Sequence, residues 1–599
     1  MTLPEKDPEY LAETRRLMAA AQTELDRGDV TQSARIFRAV ALRHPAVAAG
    51  WVQAAAAGLR ASDRGLALDA ARRALLLDPS ARPSTALLAV ASAGEPASVR
   101  HAATSLWALT HSDKPEALGA LASSYLDLGR SREAERVARA VLGADPGLDW
   151  VRVNLAVILR EAGREAAAMN ELRRALIVAP GGTLAWRRMA VLAESLSRLD
   201  LAERASGRAL LIDPEDHGSA VILSIAERRL GRPECALRRL EALPETMDGE
   251  VGRDAVEFEL GTILDRLGRY GEAWGRFERG NRIAARRAPP GDADPGPFLA
   301  TLDSFAAALS GGWPERWAPL RETDPPAVFM VGFPRSGTTL LDQILDAHPD
   351  VRVIEERPVL SSVGAGFAAA GEGALAQRLA ALDETEAARL RSEYVEKLAR
   401  WGGAAAPRVV VDKMPLNIVY LPLALRLYPT AKVILSLRHP CDCCLSCFMQ
   451  SMRLNSAMAS FTSMGGSAAL YARVMALWEE IERTLSPDHI AVRYEDLVSD
   501  TEGTARRVVE FLDLDWTDRV LDHTGHAKSR GVIRTPSFRQ VSEPIYSRAV
   551  GRWIRYREMM TPYLETLAPF ARRFGYGNPG EAAGGDNPAP KAGGGLCDS

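Results

Sequence analysis

Apolar residues change rhythm near the middle of the chain. Up to about residue 285 they recur at helical spacing, in segments that copy one another. Residues 73–79 read Arg-Ala-Leu-Leu-Leu-Asp-Pro, residues 174–180 Arg-Ala-Leu-Ile-Val-Ala-Pro, and residues 208–214 Arg-Ala-Leu-Leu-Ile-Asp-Pro. Pro45 and Pro79 are 34 residues apart, as are Pro146 and Pro180, and Pro180 and Pro214. Gly28, Gly129 and Gly163 lie 17 residues before Pro45, Pro146 and Pro180. A glycine ends a first helix by taking the left-handed conformation, and a proline cannot continue a second one. The pattern therefore predicts a repeated unit of two helices. Beyond residue 325 the mostly apolar runs are short, as in 327–331, 409–411 and 433–437, and each stops at a glycine or a charged residue. Runs of that length predict buried strands, while Leu340, Leu341, Ile344 and Leu345 keep helical spacing.

The period of 34 with two markers in phase resembles the tetratricopeptide repeat (TPR) family, over residues 10–285. The match is degenerate around residues 90–120 and leaves seven or eight repeats. Such units bury their apolar faces only by stacking, which builds a solenoid with a concave surface. The resemblance implies a groove for a peptide or protein partner; a scaffold without a peptide is the alternative. Trp51, Trp150 and Trp186 fall near the starts of first helices and read as packing residues. Residues 286–325 open with a Pro/Gly/Asp-rich stretch and read as a linker, followed by a short helical piece with Trp313 and Trp317. Residues 326–577 form the second domain, and the Gly/Ala/Pro-rich 578–599 reads as a disordered tail.

Composition narrows the function classes. Lys and Arg number 74 against 77 Asp and Glu, a net charge of −3, which argues against a nucleic-acid-coating or membrane-coating protein. With 47 % hydrophobic and 25 % charged residues the chain is globular, not disordered. The charged, Pro-containing start is no secretory signal, and no apolar run is long enough to span a bilayer. Six cysteines are too few for a disulfide-built fold. A cytoplasmic location is the expectation.

The chemistry concentrates after residue 326. The strand 327–331 runs through Gly-Phe-Pro-Arg-Ser-Gly-Thr-Thr into a helix, the context in which backbone N–H groups hold a phosphate. Gly332, Gly337 and Thr339 keep the spacing of a nucleoside-triphosphate loop, but Thr338 stands where its lysine should be. The nearby cation is Arg335, whose guanidinium can hold two oxygens of a phosphate or sulfonate. The loop suits an anion, though not Mg-ATP in the usual manner.

Pro334–Thr339 resembles the 5′-phosphosulfate loop of sulfotransferases that use 3′-phosphoadenosine 5′-phosphosulfate (PAPS). The resemblance extends over residues 325–577 and leans toward the tyrosylprotein branch. It implies a three-layer α/β domain with a mostly parallel, P-loop-like sheet. Within it, Arg335, Ser336, Gly337, Thr338 and Thr339 would bind the phosphosulfate, and Arg335 with the loop N–H groups would also act in catalysis by neutralising the oxygens of the group in transfer. Glu356, in the Glu355-Glu356-Arg357 segment, matches the catalytic base, with Glu355 as the substitute if the turn is displaced. Lys413, in Asp412-Lys413-Met414-Pro415, would stabilise the leaving-group oxygen. Arg438 and Ser446 match the pair that binds the 3′-phosphate. A further arginine of the branch is replaced by Gln450, leaving either a weaker grip or a role for Arg453. Tyr494 would contact the nucleotide, as would Arg552, and Ser537 would help stabilise the transition state.

The resemblance implies sulfonate transfer to a hydroxyl, leaving adenosine 3′,5′-bisphosphate. The acceptor would be a tyrosine of a protein or peptide; a glycan or small molecule stays open. No metal is required, because cationic side chains stand where Mg would otherwise sit. Cys441, Cys443, Cys444 and Cys447 lack the paired spacing of a zinc site and read as buried thiols. His348 and His439 read as structural. Two alternatives remain: a P-loop-type kinase, or a non-catalytic TPR scaffold with a degenerate nucleotide domain.

Overall fold

A computed structural model describes residues 8–43, 48–77, 114–245, 252–369, 375–401, 407–522 and 549–577, except 28, 62, 129, 290, 313, 315, 316, 318 and 319, with 579 and scattered positions between 89 and 108. The chain divides into two compact units: residues 1–193 with 208–213, and residues 194–207 with 214–599.

The first unit is helical. Pairs such as Ala48–Arg60 with Arg64–Leu77, and Asp149–Glu161 with Glu165–Val178, follow the predicted two-helix period. Gly163 turns between the members of a pair at φ +72°. The same turn position returns in the second unit at Ser197 and Gly231, at φ +57° and +86°, so the 34-residue period outlasts the glycine that marked it. Alanines let the helices approach closely: Ala34, Ala41, Ala54, Ala55, Ala70 and Ala74 are buried around Trp51 and Phe37. Trp51 is buried, and Trp150 lies where a Cβ on Gly119 would collide with it. Trp186 donates to the Pro180 carbonyl at 2.9 Å. These contacts are packing roles.

The second unit holds a five-stranded sheet, all parallel, in the order β2-β3-β1-β4-β5. The strands are β1 (Val328–Gly332), β2 (Val351–Glu355), β3 (Val409–Lys413), β4 (Val433–Leu437) and β5 (His489–Arg493). Alternate side chains feed two separate cores. Met330, Val353, Val411, Ile434 and Val492 pack with Leu341 and Ile344 of the helix after β1 and with Val508. Phe329, Val331, Val433 and Leu435 face the other way, into a core shared with Tyr471, Trp478, Trp553 and Leu567. A sheet buried on both faces needs such continuous apolar strands. The result is the expected three-layer α/β domain.

That second core reaches further back in the sequence than the strands. Trp274 and Phe277, on the helix Tyr270–Arg287, pack into it, with the rings of Trp274 and Phe448 4.8 Å apart. Asn281 donates to the Phe448 carbonyl at 2.8 Å. The stretch read as a linker contains the helix Gly296–Ser310, whose Phe298, Leu302, Phe305 and Leu309 are buried in the same core. Their helical spacing begins directly after a Pro/Gly run that by itself favours a loop. Trp317 is half-buried under the Arg426 guanidinium, 4.9 Å from its ring centre. Trp313, and nearly all of 578–599, lie outside the described residues.

Asp412 illustrates what double-sided burial does to a carboxyl. It is fully buried on β3, and its Oδ2 accepts from the Tyr394 hydroxyl at 2.9 Å. Burial pushes its pKa up to about 7, against a smaller downward pull from the Tyr394 hydrogen bond. The folded chain therefore holds this proton more tightly than the unfolded chain does. Its contribution to stability is fully present below the ordinary aspartate value and is lost as pH rises through about 7. The loss runs at about 1.4 kcal/mol per pH unit across that window. Asp412→Asn should remove this dependence, so that the variant gains on the parent between pH 5 and pH 8 in urea titrations. A stability difference that stays constant between those pH values would show that Asp412 does not titrate there.

Candidate active site at the strand ends

The five strands run in one direction, so their carboxyl ends share one edge of the sheet. In open α/β sheets ligands bind outside that edge, where the strand order reverses. Here β1 is central, flanked by β3 and β4. Most of the sequence-predicted residues that are described lie at or just beyond these ends; Ser446 lies in the helix after β4, and Arg552 lies elsewhere. The loop 333–337 follows β1, Glu356 follows β2, Lys413 closes β3, Arg438 follows β4 and Tyr494 follows β5.

The loop after β1 is shaped by its backbone. Arg335 has φ +69° and Gly337 φ +97°. Left-handed residues between ordinary ones turn successive N–H groups inward and make an anion nest. Gly337 has a further reason to be glycine: a Cβ there would meet Tyr494 Cδ2 at 2.6 Å. The helix Thr338–Asp346 starts from Gly337 and offers its first N–H groups at the same place. Thr338 and Thr339 are buried in that first turn.

Arg335, Arg438 and Ser446 come together. Arg335 Nε donates to Ser446 Oγ at 3.1 Å, and Arg438 Nη1 donates to the Arg335 carbonyl at 3.2 Å. The side chain read as the sulfonate grip thus lies against the pair read as the 3′-phosphate grip. Arg438 is buried; its guanidinium stands 5.0 Å over the Tyr494 ring and reaches the Ala549 carbonyl. Burial works against its charge, but Asp442, with Cys443, Tyr494 and Glu495, raises its pKa above the ordinary arginine value. Buried Arg438 Nε and Ser336 Oγ have no hydrogen-bond partner among the described residues. Buried donors without acceptors are costly. Their presence beside an N–H nest fits a bound anion such as a nucleotide phosphosulfate.

A second cluster forms where β2 meets β3. Lys413 is fully buried, with Nζ 2.9 Å from Asp342 Oδ2, 3.1 Å from Glu356 Oε1 and 3.5 Å from Glu355 Oε1. Burial lowers a lysine pKa, but these carboxylates outweigh it and hold the ammonium above the ordinary value. Glu356 sits at φ +44°, with its N–H bonded to the Lys413 carbonyl at 2.8 Å. A non-glycine residue held in this region marks stored strain, often at a working position. Its side chain is 35 % exposed, against 14 % for Glu355. Glu356 is therefore the carboxylate with room to meet a substrate.

Other expectations resolve less directly. Arg552 pairs with Asp265 on the helix Arg253–Arg266 at 2.7 Å, and the Tyr556 hydroxyl donates to the same carboxylate at 2.6 Å. Ser537 lies outside the described residues. Gln450 turns its amide to the Ser451 carbonyl, and Arg453 is exposed in the loop that follows. The cysteines of the helix Pro440–Phe448 are buried and free, and burial pushes their thiols up, that of Cys447 to about 12. Cys447 Sγ donates to the Pro334 carbonyl, bracing the anion loop from behind. His439 Nδ1 accepts from the Cys441 N–H, capping that helix, and burial brings its pKa down to about 4. His348 Nδ1 accepts from the Asp350 N–H, and its Nε2 meets the Asp515 carbonyl at 2.9 Å. Both histidines are structural.

Two acids escaped the sequence reading. Asp442 is buried and accepts from the Gly551 and Trp553 N–H groups at 2.8 and 2.9 Å, tying residues 551–553 to the helix after β4. Asp342 holds Lys413. Its signal was a carboxylate interrupting the apolar run Leu340-Leu341-…-Ile344-Leu345.

Comparison with known proteins agrees with this layout. Residues 326–518 match the family model described as the sulfotransferase family, and residues 115–147 match a tetratricopeptide repeat. An uncharacterized protein of Aquifex aeolicus is 29 % identical over 251 residues, 40 % of this chain and 32 % of that protein. Protein-tyrosine sulfotransferase A of Caenorhabditis elegans is 28 % identical, over 42 % of this chain and 67 % of that one. Protein-tyrosine sulfotransferase 1 of Danio rerio is 27 % identical, over 46 % and 79 %. The chain thus spans about a third of the length of the Aquifex relative and two thirds or more of the other two. A tetratricopeptide repeat protein from Parabacteroides merdae superposes with a TM-score of 0.33 at 15 % identity, over 39 % of this chain and 91 % of that one. The strand-end cluster thus sits in a sulfotransferase-family domain, C-terminal to a tetratricopeptide repeat in the same chain.

Proposed function

We propose that this chain is an enzyme that moves the sulfonate of PAPS onto an acceptor hydroxyl, that of a tyrosine in a protein or peptide. The observation that carries the reading is the convergence of Arg335, Arg438 and Ser446 at the loop with Lys413 and Glu356 at the neighbouring strand ends. Bound PAPS would supply an activated sulfonate on a phosphate leaving group. The N–H nest with Ser336, Thr338 and Thr339 binds its phosphosulfate end. Arg438 and Ser446 bind the 3′-phosphate, the group that separates PAPS from ATP. Tyr494, stacked under Arg438, borders the nucleotide. Lys413 stabilises the charge that grows on the leaving oxygen, and Glu356 takes the proton from the acceptor hydroxyl. Relatives named protein-tyrosine sulfotransferases support tyrosine as the acceptor. The repeats would supply a surface for the peptide or for a further protein partner.

The test mixes the full chain with labelled PAPS and tyrosine-containing peptides. Glu356→Gln should lower kcat by about 100- to 10,000-fold, the range of a lost general base. Its thermal shift with adenosine 3′,5′-bisphosphate should stay parental. Unchanged turnover would remove Glu356 as the base. A larger thermal shift from Mg-ATP than from adenosine 3′,5′-bisphosphate would overturn the donor assignment in favour of a kinase.

A further inference from the structure

Lys413 has more counter-charge than its proposed work requires. An ammonium has three protons to donate. Here Nζ donates to Glu356 at 3.1 Å and to Glu355 at 3.5 Å, and stands in an ion pair with Asp342 at 2.9 Å. The partners differ in freedom. Asp342 is fully buried on the helix Thr338–Asp346, and its Oδ1 accepts from the Gln343 amide at 2.5 Å. It cannot leave the ammonium without stranding a charge in the core. Glu356 is 35 % exposed at the mouth and can turn away.

We propose that Asp342 is a positioning residue that holds Lys413 charged and in place, so that Lys413 can exchange its Glu356 contact for the leaving-group oxygen. This rests on the sulfonate-transfer reading above. The pair Lys413–Glu356 is a resting contact in which the acid and the base of the reaction occupy each other. If Glu356 were the principal counter-ion, releasing it to accept a proton would leave a buried, unpaired ammonium. Asp342 removes that penalty, because the Lys413–Asp342 pair stays neutral throughout. It also sets direction. Asp342 lies one helical turn beyond Thr338, on the same face of the helix that begins at the anion loop. The ammonium is thereby tethered to the element that holds the phosphosulfate.

The test compares kcat, KM for PAPS and the pH profile of the full chain and its variants, with a tyrosine peptide as acceptor. Asp342→Asn keeps the shape and removes the charge. It should lower kcat by about 100-fold, the scale of a misplaced catalytic group, with KM for PAPS within about twofold. Among the described residues the charged groups facing Lys413 are Asp342, Glu355 and Glu356, so loss of one should move the basic limb of the kcat profile to lower pH. Added to Lys413→Met, Asp342→Asn should lower turnover no further, since its action runs through the lysine. An unchanged kcat, an unmoved basic limb, or a further tenfold loss on the Lys413→Met background would each overturn the proposal.

Should Asp342→Asn lose its thermal transition, Asp342→Glu carries the test. It keeps the charge and displaces it by one methylene, so the basic limb should stay and kcat should fall several-fold. Parental kcat in that variant would overturn the positioning role. A parental chain that transfers no sulfonate at all would overturn the reading of the function, and this proposal with it. An active parent with an indifferent Asp342→Asn overturns the proposal alone.

Discussion

Lys413→Met is expected to lose both turnover and stability, for separable reasons. Removing a group that stabilises developing charge costs about 100- to 1,000-fold in kcat. The stability loss has another origin. Lys413 and Asp342 are both fully buried, 2.9 Å apart. Deleting one partner of a buried pair strands the other, at about 3–5 kcal/mol. Glu356 and Glu355 can take up water at the mouth, but Asp342 cannot. The double variant Lys413→Met/Asp342→Asn should therefore regain most of the lost stability in urea unfolding and none of the activity. A single variant as stable as the parent would show that Asp342 is not left uncompensated. A double variant that recovers turnover would remove Lys413 from the chemistry.

Arg438→Ala should act on ligand affinity. Arg438 organises the nucleotide side of the site by several contacts at once: the Arg335 carbonyl, the Ala549 carbonyl, the Tyr494 face and, at 3.9 Å, Asp442. Truncating one member of a buried, charged hydrogen-bonding pair costs about 2–5 kcal/mol of binding, or roughly 30- to 5,000-fold in Kd. The readout is calorimetric titration with adenosine 3′,5′-bisphosphate and with adenosine 5′-monophosphate. Parental protein should prefer the bisphosphate, and the variant should lose that preference, because the 3′-phosphate is the group Arg438 and Ser446 address. An equal loss for both nucleotides would assign Arg438 to general packing of the site. Asp442 should respond too, since it ties residues 551–553 to the same helix.

Much of this was legible in one dimension, because the signals are local. The helical repeat shows itself through glycine and proline, whose backbone limits do not depend on tertiary context. The strands show themselves as short apolar runs, because a parallel sheet covered on both faces has no polar side. Gly337 is required locally by its own left-handed φ. Arg335, Lys413 and Arg438 stand out because each cation follows within a few residues of an apolar run, at the end of a strand.

What the chain order could not convey is mutual distance. Residues 335, 438 and 446 are joined by hydrogen bonds across more than a hundred positions, and 342, 356 and 413 by ion pairs. Electrostatic energy depends on separation and burial, neither of which is written in a linear pattern. The partner of Asp342 is hidden for that reason: an acid among leucines reads as an interruption until a buried ammonium is found 2.9 Å away. Arg552 is a similar case: its ion pair with Asp265 joins residues far apart in the chain. The helix Gly296–Ser310 was hidden by the prolines before it, and only the core that its phenylalanines fill makes it part of the domain. Sequence determined the repeat period, the strands and the cations at their ends, since each follows from backbone geometry or local apolar pattern. Tertiary structure alone decided which charges compensate which, because only folding sets the distances and removes the water between them.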